Sequence, residues 1–286
     1  MGLMRKVALG AGAVLGAGVA LGAVYRQSGA RDEQRVHRAM LDAAELAQAR
    51  FDEQMLAGLP EVAKRYLRHA IAPGTPLATT VELDMRGTFL LGDTAEAARA
   101  YAMTARETLA PSRSAFLWQP RLVRGPVIIT GSDGLHDGKA WTRFWVAGLV
   151  PVVNEVSSGP DLVRSAAFRA AAEAIWVPST LLPQAGARWR QVGPDQAEVS
   201  VPTVAGPIAN RLTLAPDGRL LEVVGQRWSN ANPDKVFRLQ PFGGTVLAER
   251  RFGGFTVPAR VSIGNHFGTP DFLPFFQAEI TAARFR

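Results

Sequence analysis

Two short stretches hold most of the side chains able to do chemistry. The first, EAIWVPSTLLP at residues 173–183, sets one carboxylate, Glu173, three residues before Trp176 and follows them with two prolines. Shielded from water, such a carboxyl becomes an acid or a base, because burial raises its pKa. Arg169 lies four residues earlier, so the plainer reading is an exposed ion pair on one helix face. The second stretch, GNHFGTPDFLPFF, places Asn265, His266 and Asp271 among phenylalanines in a Gly- and Pro-rich loop. With His136 and Asp137 these would have to converge in space to hold a metal, and no His-x-His or helical His pair prepares such a site. His69, near the end of a short helix, reads as a partner of the helix dipole or a cap. No G-x-S-x-G, H-E-x-x-H, G-x-G-x-x-G or Walker pattern occurs. The sequence therefore assigns no catalytic residue, no metal and no cofactor. An enzyme built on this chain would use Glu173 or His266 as its base.

The totals exclude whole classes. A length of 286 residues suits one large domain or two small ones, and 47% hydrophobic against 20% charged residues marks a folded protein. The net charge of +7 invites a nucleic-acid reading, but only four residues are lysine and the arginines are scattered without a basic tract. No nucleic-acid partner is expected. The absence of cysteine excludes disulfides, thiolate catalysis and a lipid-attachment cysteine.

These residues need elements to position them. Residues 1–25 read as an N-terminal membrane anchor or signal. Val7 to Val24 carries no charge, and eighteen residues at 1.5 Å rise reach about 27 Å, enough to cross a bilayer core. Retention as a single-pass anchor in the cytoplasmic membrane is the favoured reading over cleavage after Ala30, with the globular part outside the cytoplasm. Residues 26–75 read as a helical neck. Val36, Met40, Ala44, Ala47, Phe51 and Met55 recur at helical spacing, and EVAKRYLRHAI follows as a shorter helix.

From residue 76 to 286 the period becomes two, as in TVELDMRGTFLL, with turn signals at Asp133-Gly134, Asp137-Gly138, Pro216-Asp217-Gly218 and Gly253-Gly254. About ten or eleven strands in hairpin succession imply a strongly curved antiparallel sheet, a half-barrel or barrel. One brace helix near 159–177 interrupts it, capped by Ser158 and stopped by Pro178. The fold class is mainly β with helices.

On that sheet the aromatics become informative. Trp141 and Trp145 are four apart on a strand, so they share a face, and Arg143 alternates onto it between them. Were that face concave, Trp141, Arg143, Trp145, Glu173 and Trp176 would line an apolar pocket with a polar edge. Ordinary core packing is the alternative for the tryptophans.

Pro60-x-Val62-x-x-Arg65-Tyr66-Leu67-x-His69, AGLVPVV and Glu173-Ala174-x-Trp176-x-Pro178-Ser179-x-Leu181-Leu182-Pro183 together resemble a bacterial family of unknown function. The resemblance covers roughly residues 55–286 and implies a single-anchor protein with one β-rich domain and no established activity. Where that family carries a Trp-Arg pair in its last hairpin, this chain has Phe276 and Gln277, so no role carries over there. The layout is also similar, at the level of fold alone, to the half-barrels of periplasmic lipoprotein carriers. The expectation is a membrane-anchored binding protein holding a lipid or acyl chain. A hydrolase-like enzyme and a ligand-free structural protein are the alternatives.

Overall fold

Period-two alternation produces the strands, and hairpin turns set their order. In the computed structural model, which describes residues 26–44, 49–92, 94 and 96–286, thirteen strands form one antiparallel sheet. They are β1 (Val81–Leu91), β2 (Arg99–Ala110), β3 (Ala115–Arg124), β4 (Val127–His136), β5 (Lys139–Val146), β6 (Val150–Ser157) and β7 (Arg188–Gly193), followed by β8 (Gln196–Val201), β9 (Ile208–Leu214), β10 (Leu220–Ser229), β11 (Arg238–Phe252), β12 (Phe255–Asn265) and β13 (Leu273–Phe285). Three helices accompany them: α1 over residues 26–42, α2 (Glu61–Ala70) and α3 (Pro160–Ala172). The expected anchor at 1–25 lies outside the described residues. Among the described residues no helix is long and apolar enough to cross a membrane.

The strand order is β6-β5-β4-β3-β2-β1-β13-β12-β11-β10-β9-β8-β7. Every neighbouring pair but one is a hairpin; the exception is β1 with β13, which zips the first strand onto the last, Val81 opposite Phe285. The two edges, β6 and β7, are consecutive in sequence yet at opposite ends of the sheet. The chain between them must therefore cross the sheet, and residues 158–187 do so. This one crossover leaves the sheet open where a further hairpin would have closed it.

The crossover is built from small residues and ended by proline. Its helix begins at Gly159 and Pro160, with Ser157 Oγ accepting the Gly159 N–H at 2.8 Å. Ser158 is thus not the cap that its residue type suggested. Ala166, Ala167, Ala170 and Ala171 are buried, which lets the helix lie close to the strands. The α-helix stops at Ala172, shorter than the expected 159–177, and the chain tightens into 3₁₀ turns at Glu173–Trp176, Pro178–Leu181 and Pro183–Ala185. Pro178 forbids helical geometry to Val177, whose φ of −131° is extended. Trp176, 1% exposed, donates its indole N–H to Pro258 O at 2.9 Å and pins the crossover to β12.

Two helices pack against the sheet, α2 on the main core and α1 on the opposite face. α2 carries the Arg-Tyr-Leu-x-His stretch and uses its polar members as joints. Arg65 Nη2 donates to Asp195 Oδ1 at 2.7 Å, and His69 Nε2 meets Glu249 Oε2 at 2.6 Å. Glu249 also accepts the Leu220 N–H, and its hydrogen bond holds the His69 pKa above the usual imidazole range. α1 lies along β1–β5. Met40 packs with Ala110, Ala115, Leu117 and Trp141, and Glu33 accepts from Ser132 Oγ at 2.6 Å and Gln119 Nε2 at 2.9 Å.

Two expectations need correction. The sheet has thirteen strands rather than ten or eleven, because VPVVNEVS and RWRQVG form the edge strands β6 and β7 without clean alternation. Asp133-Gly134 is no turn: it lies inside β4. A Cβ on Gly134 would fall 2.2 Å from the Trp141 ring, so the glycine makes room for an indole lying flat on the neighbouring strand.

Trp176→Phe keeps the ring but orphans the Pro258 carbonyl in the core. Urea denaturation should show a loss of about 1–3 kcal/mol. A loss below that range would mean the indole N–H does not pin the crossover.

Candidate functional site

The inward residues of the curved sheet and the underside of the crossover enclose a cavity of about 330 Å³. Most of its wall is apolar. Phe89 and Trp118 stand 5.5 Å apart between ring centres, Trp118 and Phe276 6.2 Å, and Phe242 and Phe275 6.1 Å. Val152 and Val153 of edge strand β6 line it while remaining exposed, so β6 marks its opening.

One corner is charged. Arg169, on α3, reaches down to the sheet and binds three carboxylates. Its Nε donates to Glu173 Oε1 at 2.7 Å, Nη1 to Asp133 Oδ2 at 2.6 Å and Nη2 to Glu107 Oε1 at 2.6 Å. The guanidinium carbon lies 4.5 Å from the Phe116 ring centre and 5.1 Å from that of Trp118, so flat aromatic faces complete its surroundings. Glu107 is 1% exposed on β2, and its Oε2 has no hydrogen-bond partner; Glu173 Oε2 is likewise unpartnered. Arg227, on β10, is the second cation of the lining.

The protonation states follow from this crowding. Burial, reinforced by the Glu173 charge, pushes the Glu107 carboxyl well above its usual range, and Arg169 offsets that only in part. Burial also raises Glu173 against the pull of Arg169. Arg169 is held firmly protonated by its three partners in spite of its burial. Three carboxylates against two guanidiniums leave one surplus negative charge, which a single retained proton removes. A low-dielectric corner favours that neutral balance.

The five residues expected to line a pocket do not come together. Glu173 and Trp176 line the cavity, but Trp141, Arg143 and Trp145 do not. β5 turns Thr142 and Phe144 inward, and alternation sends 141, 143 and 145 to the opposite face, under α1. There Trp141 Nε1 donates to Ser132 Oγ at 3.0 Å, and the Arg143 guanidinium approaches Gly29. The expected face was right in period and wrong in side. Nor is Glu173 an exposed partner of Arg169, since each side chain is 15% exposed. His266 stands in the β12–β13 turn with Nε2 3.3 Å from Ala231 O, and neither it nor His136 lines the cavity.

Sequence reasoning missed Glu107, Asp133, Asn210 and Arg227. Glu107 and Asp133 carried a weak signal, each being a carboxylate at an inward position of an otherwise apolar strand face. Asn210 is 2% exposed with both amide atoms unpartnered. It fits because β10 has Gly225 opposite it, where a Cβ would fall 2.4 Å from Asn210 Oδ1 and 2.6 Å from the Phe168 ring.

The raised Glu107 pKa has a definite linkage sign. A carboxyl that holds its proton more tightly when folded contributes stability that is complete below its unfolded pKa, ordinarily 4.5. That contribution is lost as pH rises through the raised folded value. Urea midpoints between about pH 5 and pH 9 should therefore fall less in Glu107→Gln than in the wild type. Parallel curves would show that Glu107 is ionised throughout.

No curated protein matches the sequence. Among solved structures, one described as an outer membrane lipoprotein-sorting protein domain from Vibrio parahaemolyticus is similar at 10% identity and a TM-score of 0.35, over 72% of this chain and 85% of that one. A family model matches residues 49–278, which take in α2, the whole crossover and the sheet from β1 into β13. The chain thus belongs to the Family of unknown function (DUF6544).

Proposed function

We propose that this protein is a membrane-anchored binding protein that holds a lipid or acyl chain in the cavity of its curved sheet. The observation that carries the reading is the cavity itself: about 330 Å³, walled by aromatic rings and aliphatic side chains, with its charged groups gathered in one corner. A core evolved only for stability fills such a space, because unfilled apolar volume forfeits dispersion contacts. A stabilising role also explains the corner poorly, since buried ion clusters rarely gain over apolar packing.

Anchoring rests on the uncharged run from Val7 to Val24, and the fold supports an orientation. Arg26 Nη1, at the start of the described chain, donates to Gly148 O at 3.0 Å in the β5–β6 turn. Beside that turn Leu149, Val150 and Val152 are each more than half exposed. Residue 26 thus stands next to the apolar rim where the cavity opens, which supports an opening that faces the membrane. The reading places the domain outside the cytoplasm.

A second reading is favoured by one observation. Glu173 presents an unpartnered oxygen in an enclosed, largely apolar space, as a general acid or base does. Hydrolysis of an acyl ligand would use it.

Protein purified from its own membranes and extracted with organic solvent should release a stoichiometric amphiphile detectable by mass spectrometry. Ile263→Trp, which fills the cavity from β12, should abolish that release while the protein stays folded. An empty wild-type cavity would instead support a ligand-free structural role. Release of a cleaved acyl product that stops in Glu173→Gln would favour the enzyme.

A further inference from the structure

The charged corner holds unpartnered hydrogen-bond donors as well as unpartnered acceptors. Arg227 donates Nε to Ser165 Oγ at 3.2 Å and lies 5.1 Å from the Phe242 ring centre. Among the described residues no carboxylate comes within ion-pair distance of it. Trp118 Nε1 and Asn210 Nδ2 have no partner although their residues are 3% and 2% exposed. All three residues line the cavity. Asn210 and Arg227 stand on the same inward face, because Asn210 pairs with Gly225, two residues before Arg227.

We infer that this corner is the subsite for a carboxylate, so that the cavity takes a long-chain monocarboxylic acid with its head on Arg227, Asn210 and Trp118. The inference rests on the reading of the cavity as a ligand site. A carboxylate is planar, accepts without donating and matches a guanidinium in two parallel bonds. An ammonium head would put a third cation beside the Arg169 and Arg227 guanidiniums. A hydroxyl would leave most of the donors idle.

The neighbouring acids do not forbid an anion. Arg169 occupies one oxygen each of Glu107, Asp133 and Glu173. The remaining oxygens of Glu107 and Glu173 are unpartnered, and burial drives both carboxyls toward the protonated form. With both protonated, two guanidiniums face two carboxylates, that of Asp133 and that of the ligand. Glu173 then offers an O–H as a further donor. The charged side chains that line the cavity are Asp133, Arg169, Glu173 and Arg227.

The test uses the uncharged fluorophore N-phenyl-1-naphthylamine loaded into the purified protein and displaced by dodecanoate, dodecanol, dodecylamine or dodecyl phosphate. Dodecanoate is expected to displace the probe at about tenfold lower concentration than the alcohol or the amine. Arg227→Gln and Asn210→Leu should erase that advantage, so that dodecanoate displaces the probe no better than dodecanol does. Trp118→Phe, which keeps a ring in place, should reduce the advantage several-fold even if the other two variants fold poorly. Displacement by dodecanol, dodecylamine or dodecyl phosphate equal to or better than by dodecanoate would overturn the carboxylate subsite, as would an advantage that survives all three substitutions. In those cases the cavity still binds a chain. A wild-type protein that takes up no probe overturns the cavity reading as well.

Discussion

One guanidinium ties the architecture together. Arg169 extends from α3, the helix that crosses the sheet, and reaches carboxylates on β2, on β4 and on the 3₁₀ turn that follows the helix. The crossover itself is imposed by topology, because β6 and β7 are adjacent in sequence and lie on opposite edges. Alanines let the helix approach, Trp176 pins its far end to β12, and Arg169 fixes its near side over Phe116 and Trp118. The helix is thereby held across the cavity instead of collapsing into it.

That arrangement makes little sense as a device for stability alone. Three carboxyls and a guanidinium taken out of water carry a large desolvation cost, which their mutual attraction repays only with full hydrogen bonding. Here Glu107 Oε2 and Glu173 Oε2 are left unpaired, so the bonding is incomplete. Glu173 lines an open apolar space together with Arg227, Asn210 and Trp118. Unmet hydrogen-bonding capacity thus stands beside an apolar wall.

The two faces of the sheet do different work. The concave face holds the cavity. The opposite face around β1–β5 is covered by α1, where Met40 and Trp141 pack and Glu33 bonds Ser132 and Gln119. The helix read as a neck is thus bound along the strands, and it carries the chain from the β5–β6 turn, at Arg26, toward β1, where His37 meets Glu82 at 3.2 Å.

Local sequence determined the period-two strands from residue 81, the glycine turns at Asp137-Gly138, Pro216-Asp217-Gly218 and Gly253-Gly254, and the existence of a helix after residue 159. Each depends on neighbours within a few residues, through backbone sterics and side-chain alternation. The pairing of Glu173 with Arg169 was also legible, since it needs only helical spacing. The tertiary structure alone decided which face of each strand points inward. Alternation makes two faces and cannot label them, so Trp141, Arg143 and Trp145 shared a side as expected, but that side lies under α1. It alone also gathered Glu107, Asp133, Asn210 and Arg227, which stand far apart in sequence. Their meeting depends on the β1–β13 pairing and on the crossover from β6 to β7, and no local signal encodes either, because both are contacts between chain segments that become neighbours only when the sheet curls.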